Sequence, residues 1–254
     1  MKPAALVTGA RRGIGRATCA ALAAKGFDIV GADISDDGAE ETRSAVEAAG
    51  GRFTFTLADV GDVDAHVALL DTAWAAYGGL ECLANIAGVQ VAKRQDMLET
   101  TPDSWDHLLD VNTRGVFFLS QAIAKRMIAP GAPVRGHRSL VFISSINSVM
   151  ASLNRAEYCV SKAGVTMLAK LFAMRLGPHG INTYDIQPGV IRTDMTRAVW
   201  DSYTQQIEAG ATLIRRMGEP EDIGGAIATL ASGAMPYSTG HSFPIDGGML
   251  VPRF

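Results

Sequence analysis

The sequence predicts a doubly wound α/β fold, a parallel sheet of about seven strands with helices on both faces. Two observations carry this. Short apolar runs alternate with longer amphipathic segments along the whole chain, the pattern of repeated strand–helix–strand units. No internal repeat, low-complexity segment or linker rich in Pro, Gly and Ser divides the chain. The 254 residues, 48% apolar with 27 glycines, therefore read as a single domain spanning 1–254.

Residues 4–7, 28–32, 52–57, 81–85, 139–144, 182–187 and 242–245 read as strands, each a short apolar run bounded by turn residues. Residues 14–25, 38–49, 63–77, 102–128, 155–176 and 219–231 carry the helical period. Gly26, Gly50 and Gly78 stand where C-terminal caps belong. Two stretches escape the alternation: 130–138 is a Gly/Pro/Arg loop, and 194–217 reads as one or two short helices over an opening, a candidate substrate lid.

Composition removes several classes of function. A formal net charge of -3 gives no global attraction to nucleic acid or to an anionic membrane. Cys19, Cys82 and Cys159 are odd in number, far apart and outside any Cys-x-x-Cys or His cluster, which argues against a disulfide framework and a zinc site and for a reducing compartment. The first apolar run is broken at Thr8-Gly9-Ala10-Arg11-Arg12, well short of a signal sequence, and no apolar stretch is long enough to span a bilayer. A cytoplasmic location, no metal, no nucleic acid and no membrane partner are expected.

The first functional signal is Thr8-Gly9-Ala10-Arg11-Arg12-Gly13-Ile14-Gly15, between the first strand and the first helix. A glycine turn there brings backbone N–H groups and a helix N-terminus against a pyrophosphate. Its glycines are spaced Gly-x-x-x-Gly-x-Gly, a variant of the usual dinucleotide fingerprint; a tight turn without ligand is the plainer alternative. Asp33, followed by Ile34, ends the second strand about 20 residues further on, where a carboxylate accepts hydrogen bonds from a ribose diol and repels a 2'-phosphate. NAD is thereby favoured over NADP. Arg12 pulls the other way, as a guanidinium that can pair with a phosphate, stay exposed, or bridge to Asp33.

The second signal is Tyr158 and Lys162, which a helix places one turn apart on the same face. A free tyrosine, with a pKa near about 10, is a poor base at neutral pH, but a cation beside it stabilises the phenolate. On a solvated helix face such a pair is usually accidental. Ser145 precedes Tyr158 by thirteen residues and follows the strand that ends near Ile143, at the sheet edge where ligands of such folds bind. Ser144 competes with it, since neighbouring strand residues face opposite sides. Asn112 is an amide inside an otherwise apolar helical run, and a polar kink is its simplest reading.

With these residues in view the chain resembles the short-chain dehydrogenase/reductase family over nearly its whole length. Thr8 to Gly15 matches the family's nucleotide turn, Asp59-Val60 its adenine-contacting dipeptide, and Asn85-Ile86-Ala87-Gly88 its post-strand motif, with Ile86 in place of the commoner second asparagine. Pro188-Gly189 and Thr193 match the nicotinamide-side segment, which brings Val190 and Ile191 with it. The resemblance implies a Rossmann fold and a catalytic set of Asn112, Ser145, Tyr158 and Lys162. It implies hydride transfer between nicotinamide and a carbon bearing the oxygen, with Tyr158 as acid/base. Ser145 would steady the substrate oxygen, Lys162 would hydrogen-bond the nicotinamide ribose, its charge and that of oxidised nicotinamide would depress the Tyr158 pKa, and Asn112 would hold a water beside Lys162. A homotetramer is also implied, with the long helices and the 249–254 tail as subunit contacts.

Substrate selection falls to the loops 89–97, 147–154 and 190–217. Met150, Leu153, Met195, Trp200 and Tyr203 offer apolar surface, while Gln90, Asn147, Asn154 and Arg155 offer hydrogen bonds, so neither a long acyl chain nor a sugar is selected. The pattern is most similar to the 3-oxoacyl-acyl-carrier-protein reductase-like group, which sugar, polyol and hydroxy-acid dehydrogenases share. A small polar alcohol is expected as substrate. The alternatives are an NADPH-dependent 3-oxoacyl-carrier-protein reductase, docking its partner through Lys125, Arg126, Arg135, His137, Arg138 and Arg175, and a non-catalytic dinucleotide sensor.

Overall fold

A computed structural model describes residues 1–252, and the last two positions of the 249–254 tail lie outside the described residues. Seven strands form one sheet: β1 (Ala4–Thr8), β2 (Asp28–Asp33), β3 (Phe53–Leu57), β4 (Cys82–Asn85), β5 (Arg138–Ile143), β6 (Ile181–Pro188) and β7 (His241–Ile245). Their order is β3-β2-β1-β4-β5-β6-β7, and every neighbouring pair is parallel. The chain winds outward from β1 to β3, then returns to start the other half at β4. That reversal leaves a crevice beyond the carboxyl ends of β1 and β4, where ligands of doubly wound sheets bind.

The period of two along each strand sorts side chains between two cores. Leu6 and Leu83 face α3 (His66–Tyr77), α5 (Val116–Met127) and α6 (Ala156–Leu176), packing with Leu70, Ile123 and Phe172. Ala5 and Val7 face α1 (Gly13–Ala24), α2 (Ala39–Ala48) and α8 (Pro220–Ala231), packing with Leu22, Val46 and Ile227. Each such aliphatic side chain contributes on the order of 2 kcal/mol by leaving water, which holds both helix layers to a sheet whose strands are apolar on both faces.

One expected element differs. The run 102–128 is not a single α-helix: α4 (Pro102–Leu109) passes into a π-helical segment, Asp110–Gly115, and only then into α5. Close packing accounts for the change. Gly115 lies against β3's following loop so tightly that a Cβ on it would stand 2.0 Å from the Val60 carbonyl oxygen, and Asn112 is drawn to partners outside the helix. The apolar period survives such an insertion, so the sequence reads as continuous. Segment 194–217 holds a short 3₁₀ turn, Asp194–Val199, and α7 (Trp200–Glu208), followed by turns.

The 130–138 loop is fastened by charge. Buried Glu81 accepts from Arg135 Nε at 2.8 Å, and the rest of that guanidinium donates to the Tyr77 and Gly79 carbonyls. Among the described residues no helix is long and apolar enough to cross a membrane.

Candidate active site

The glycine turn is shaped by what glycine alone permits. Gly9 and Gly13 have φ of +69° and +51°, in the left-handed region. A Cβ on Gly15 would lie 1.8 Å from the Gly9 carbonyl oxygen, and one on Gly9 would lie 3.0 Å from the Ala87 backbone. The helix that follows has no side-chain cap at Arg12 and no acid in its first turn. A positive helix end without a side-chain cap and glycines that leave the turn's backbone open suit a pyrophosphate, so the residues present fit a dinucleotide.

Asp33 is held beside this turn. Its carboxylate accepts from Arg11 N at 3.2 Å and Ile34 N at 2.9 Å, and pairs with Arg11 Nε at 3.2 Å. The bridge from the turn to Asp33 is thus made by Arg11 and not by Arg12. Arg12, in extended backbone at the helix cap, turns its side chain the other way and pairs with Asp194 at 3.3 Å. Ile34 is 68% exposed at the end of β2. Asp59 is exposed and accepts from Gly61 N at 2.8 Å, while Val60 is buried in the core. Asn85 is buried and donates to Ser120 at 3.0 Å.

Thr8 joins the two loops of the crevice: its hydroxyl accepts from Ile86 N at 3.0 Å and Ala87 N at 3.1 Å. Gly88 passes so near the catalytic corner that a Cβ would stand 3.0 Å from Asn112 Oδ1 and 3.4 Å from Lys162 Nζ. Asn112 clamps the next residue, accepting from Val89 N at 2.8 Å and donating to Val89 O at 2.9 Å and Ser161 Oγ at 3.1 Å. The π-helical segment turns its amide inward to do so. Much of the amide is therefore spent on backbone.

Ser145, Tyr158 and Lys162 converge beyond β5. Ser144 turns away, its hydroxyl donating to the Ile186 carbonyl at 3.3 Å. Ser145 accepts from Asn147 N at 3.1 Å, and its hydroxyl lies on the Tyr158 side of the cleft, where it favours the phenolate. Lys162 is buried and donates to the Ile143 carbonyl at 2.9 Å, with Nζ 5.7 Å from the centre of the Tyr158 ring. Asn147 donates to the Met150 carbonyl at 3.1 Å and so shapes its own loop.

Burial pushes the Tyr158 phenol up, and that effect exceeds the lowering by the Ser145 hydroxyl and the Arg155 charge. The protein's own groups do not depress it. Burial also brings the Lys162 ammonium down to about 8, while the charge of Asp185 opposes that shift. Asp185, on β6, is buried and accepts from Thr166, Ser242 and Gln187 through Oδ2, while Oδ1 lacks a partner. An ammonium that is only partly favoured here is a weaker tuner of the phenol than spacing suggests.

On the far wall, Pro188 ends β6 and Gly189 donates to the Ile245 carbonyl at 3.0 Å. Val190 O accepts from Gly218 N at 2.9 Å, and Ile191 bridges to Gly218. Thr193 forms a capping box with Thr196. Ile14, Gly88, Ser145, Tyr158, Lys162 and Thr193 line one cleft, into which Arg155 and Tyr203 also project. Arg11, Asp33 and Asp59 lie on the adjoining outer end of the sheet. Sequence reasoning missed Thr8 as a cross-loop bond, Ser161 and Asp185 behind the corner, and Arg94, which joins Tyr203.

A sheet of this topology with this corner defines a nicotinamide-dependent oxidoreductase, and the chain belongs to the short-chain dehydrogenase/reductase family. The matching family model, described as Enoyl-(Acyl carrier protein) reductase, covers residues 9–250. The 2-dehydro-3-deoxy-D-gluconate 5-dehydrogenase of Dickeya dadantii is 34% identical over 253 residues, 97% of this chain and 95% of the relative. A solved 3-oxoacyl-[acyl-carrier protein] reductase from Brucella melitensis, in complex with NAD, is 41% identical with a TM-score of 0.96, covering 100% of this chain and 99% of its own. A solved Agrobacterium tumefaciens chain with bound NADP is 33% identical with a TM-score of 0.87, covering 98% and 97%.

Proposed function

We propose that the protein interconverts a small polar secondary alcohol and its ketone, with NAD(H) preferred, and that Tyr158 moves the proton. The dinucleotide, when bound, accepts the hydride from the alcohol or supplies it to the ketone. Gly9, Gly13, Ile14 and Gly15 would hold its pyrophosphate, Asp33 and Ile34 its adenosine ribose end, and Pro188 to Ile191 with Thr193 its nicotinamide end. Asp59, Val60, Asn85, Ala87 and Gly88 complete the wall between them.

The carrying observation is that Ser145, Tyr158 and Lys162 line one cleft at the carboxyl edge of the sheet, with the Lys162 ammonium 5.7 Å from the centre of the Tyr158 ring. Ser145 orients the substrate oxygen against the Tyr158 hydroxyl. Tyr158 gives its proton to the ketone oxygen or takes one from the alcohol. Lys162 adds positive charge on the side away from the substrate. Asn112 acts by fixing Val89 and the Gly88 backbone beside Lys162.

Support for NAD comes from Asp33, whose carboxylate faces the ribose end and disfavours a 2'-phosphate. Arg11, the guanidinium beside Asp33, is paired with that carboxylate, and Arg12 is committed to Asp194. A 3-oxoacyl-carrier-protein reductase is the second reading, favoured by likeness to the Brucella melitensis enzyme. The docking face it needs is largely engaged internally: Arg135 on Glu81, Arg126 on Asp71, and Arg138 on the Met127 and His179 carbonyls. Met167, Leu171 and Met174 point outward from α6, which supports a homotetramer built on that helix and α5.

The test is Tyr158→Phe, assayed by NADH absorbance across 3-oxoacyl thioesters, sugars, polyols and hydroxy acids. Turnover should be abolished with NADH binding retained. Near-normal turnover in the variant would refute the mechanism, and tight NADH binding without turnover in the unaltered protein would favour a sensor.

A further inference from the structure

Arg155 and Tyr203 line the substrate end of the cleft, and Arg94, exposed beside it, joins Tyr203, so two guanidiniums outside the catalytic set lie near one phenol. Arg94 comes from the loop after β4, Arg155 immediately precedes α6, and Tyr203 is on α7. Arg94 Nη2 donates to that hydroxyl at 3.1 Å, and its guanidinium lies 5.8 Å from the Tyr203 ring centre. Arg155 is near enough for its charge to favour the Tyr203 phenolate, and its guanidinium lies 5.9 Å from the ring centre of Tyr158.

Neither arginine has a carboxylate partner among the described residues. The contrast with the same opening is clear: Arg12 and Arg197 pair with Asp194, and Arg192 pairs with Glu219. Arg155 spends its Nε on Ser152 at 3.3 Å and Arg94 one N–H on Tyr203, which leaves most N–H groups of both guanidiniums uncommitted. Acids near them are turned elsewhere, as with Glu157, which is buried and accepts from Ser104 at 2.8 Å. Two cations without carboxylate partners, Arg94 bonded to the Tyr203 hydroxyl and Arg155 beside the reacting phenol, form a site with the charge and donor geometry of a carboxylate receptor.

We propose that Arg94 and Arg155 bind a substrate carboxylate, with the Tyr203 hydroxyl as the neutral oxygen beside them, and that the substrate is therefore a hydroxy acid or its keto acid. This rests on the reading of Tyr158 as the proton donor and acceptor. The position of Arg155 against the Tyr158 ring puts the carboxylate within a few bonds of the reacting carbon. A phosphate on the far end of a long thioester arm does not meet that requirement.

The experiment compares kcat/KM for 3-hydroxybutyrate and gluconate with the amides of the same acids, with the neutral polyol glucitol, and with an acetoacetyl thioester of coenzyme A in reverse. The proposal expects at least one acid to exceed its amide by about tenfold or more, the discrimination of a charge-assisted pair. Arg94→Met should remove about tenfold from the acid, mainly through KM, and leave the amide and NADH affinity nearly unchanged, and Arg155→Met should cost the acid about tenfold more than it costs the amide. Amides or glucitol turned over as well as the acids, or equal losses on both in the variants, would overturn the carboxylate subsite and leave the dehydrogenase reading intact. A thioester preferred over every acid and lost on Arg94→Met would assign the arginines to a phosphate and overturn it also. No turnover of any compound would overturn the dehydrogenase reading itself, and the subsite with it.

Discussion

Gly15→Ala probes the dinucleotide turn most sharply. The added Cβ would stand 1.8 Å from the Gly9 carbonyl oxygen, 2.7 Å from its carbon and 3.0 Å from Ala10 Cα. All three are backbone atoms, and no rotamer relieves them. Since carbon and oxygen in contact need about 3.3 Å, the turn must retreat by roughly 1.5 Å. A displacement of about 1 Å at a positioned group commonly costs about a hundredfold. NADH affinity, read by fluorescence titration, should therefore fall by about a hundredfold, with kcat/KM falling alongside. Gly50→Ala is the control: it has φ of +85° and nothing within 4 Å of a Cβ. It should cost only backbone strain, about 1 kcal/mol in urea unfolding, with NADH affinity unchanged. If Gly15→Ala binds NADH within threefold of the unaltered protein, the turn does not hold the pyrophosphate.

Two further outcomes follow from the site. Asp33→Ala removes the carboxylate and frees Arg11, so the ratio of kcat/KM for NADH over NADPH should drop by about tenfold or more; an unchanged ratio removes Asp33 from cofactor choice. Lys162→Met should end turnover without loss of stability, because burial that moves an ammonium from 10.5 to about 8 penalises the folded protein by up to about 3 kcal/mol below pH 8. Between about pH 8 and 10.5 the unfolded chain still holds the proton that the folded site has released, so stability rises with pH across that window in the unaltered protein and that contribution vanishes in the variant. Urea unfolding at both ends of the window checks this, and a variant several kcal/mol less stable at neutral pH refutes it.

What the sequence discloses here is what spacing alone encodes. Tyr158 and Lys162 lie one turn apart because any helix puts them there, and the glycine turn follows a strand because both periods are local. The alternation of runs fixes a doubly wound sheet before any side chain is placed. Arg11 and Arg12 could not be told apart, since which of two adjacent guanidiniums faces Asp33 depends on the backbone at the helix cap. The π-helical segment leaves the apolar period of 102–128 intact and so leaves no trace in it. The direction of the Tyr158 shift depends on burial by residues from other elements, and the meeting of Arg94, Arg155 and Tyr203 joins three loops that share no local signal.

The cost of Lys162 itself bears on function. The side chain is buried at the edge of the core cluster that includes Val165 and Phe142, a place where methionine would fill the space without penalty. The fold instead keeps an ammonium there, gives it one carbonyl, and sets a buried carboxylate, Asp185, within reach of its field. Asp185 is in turn held by three donors while one of its oxygens lacks a partner, so a second unfavourable burial is retained to support the first. Buried charges are commonly replaceable by apolar residues at no loss of stability. Two of them kept behind a phenol at the ligand edge of the sheet make sense as chemistry that stability alone does not ask for.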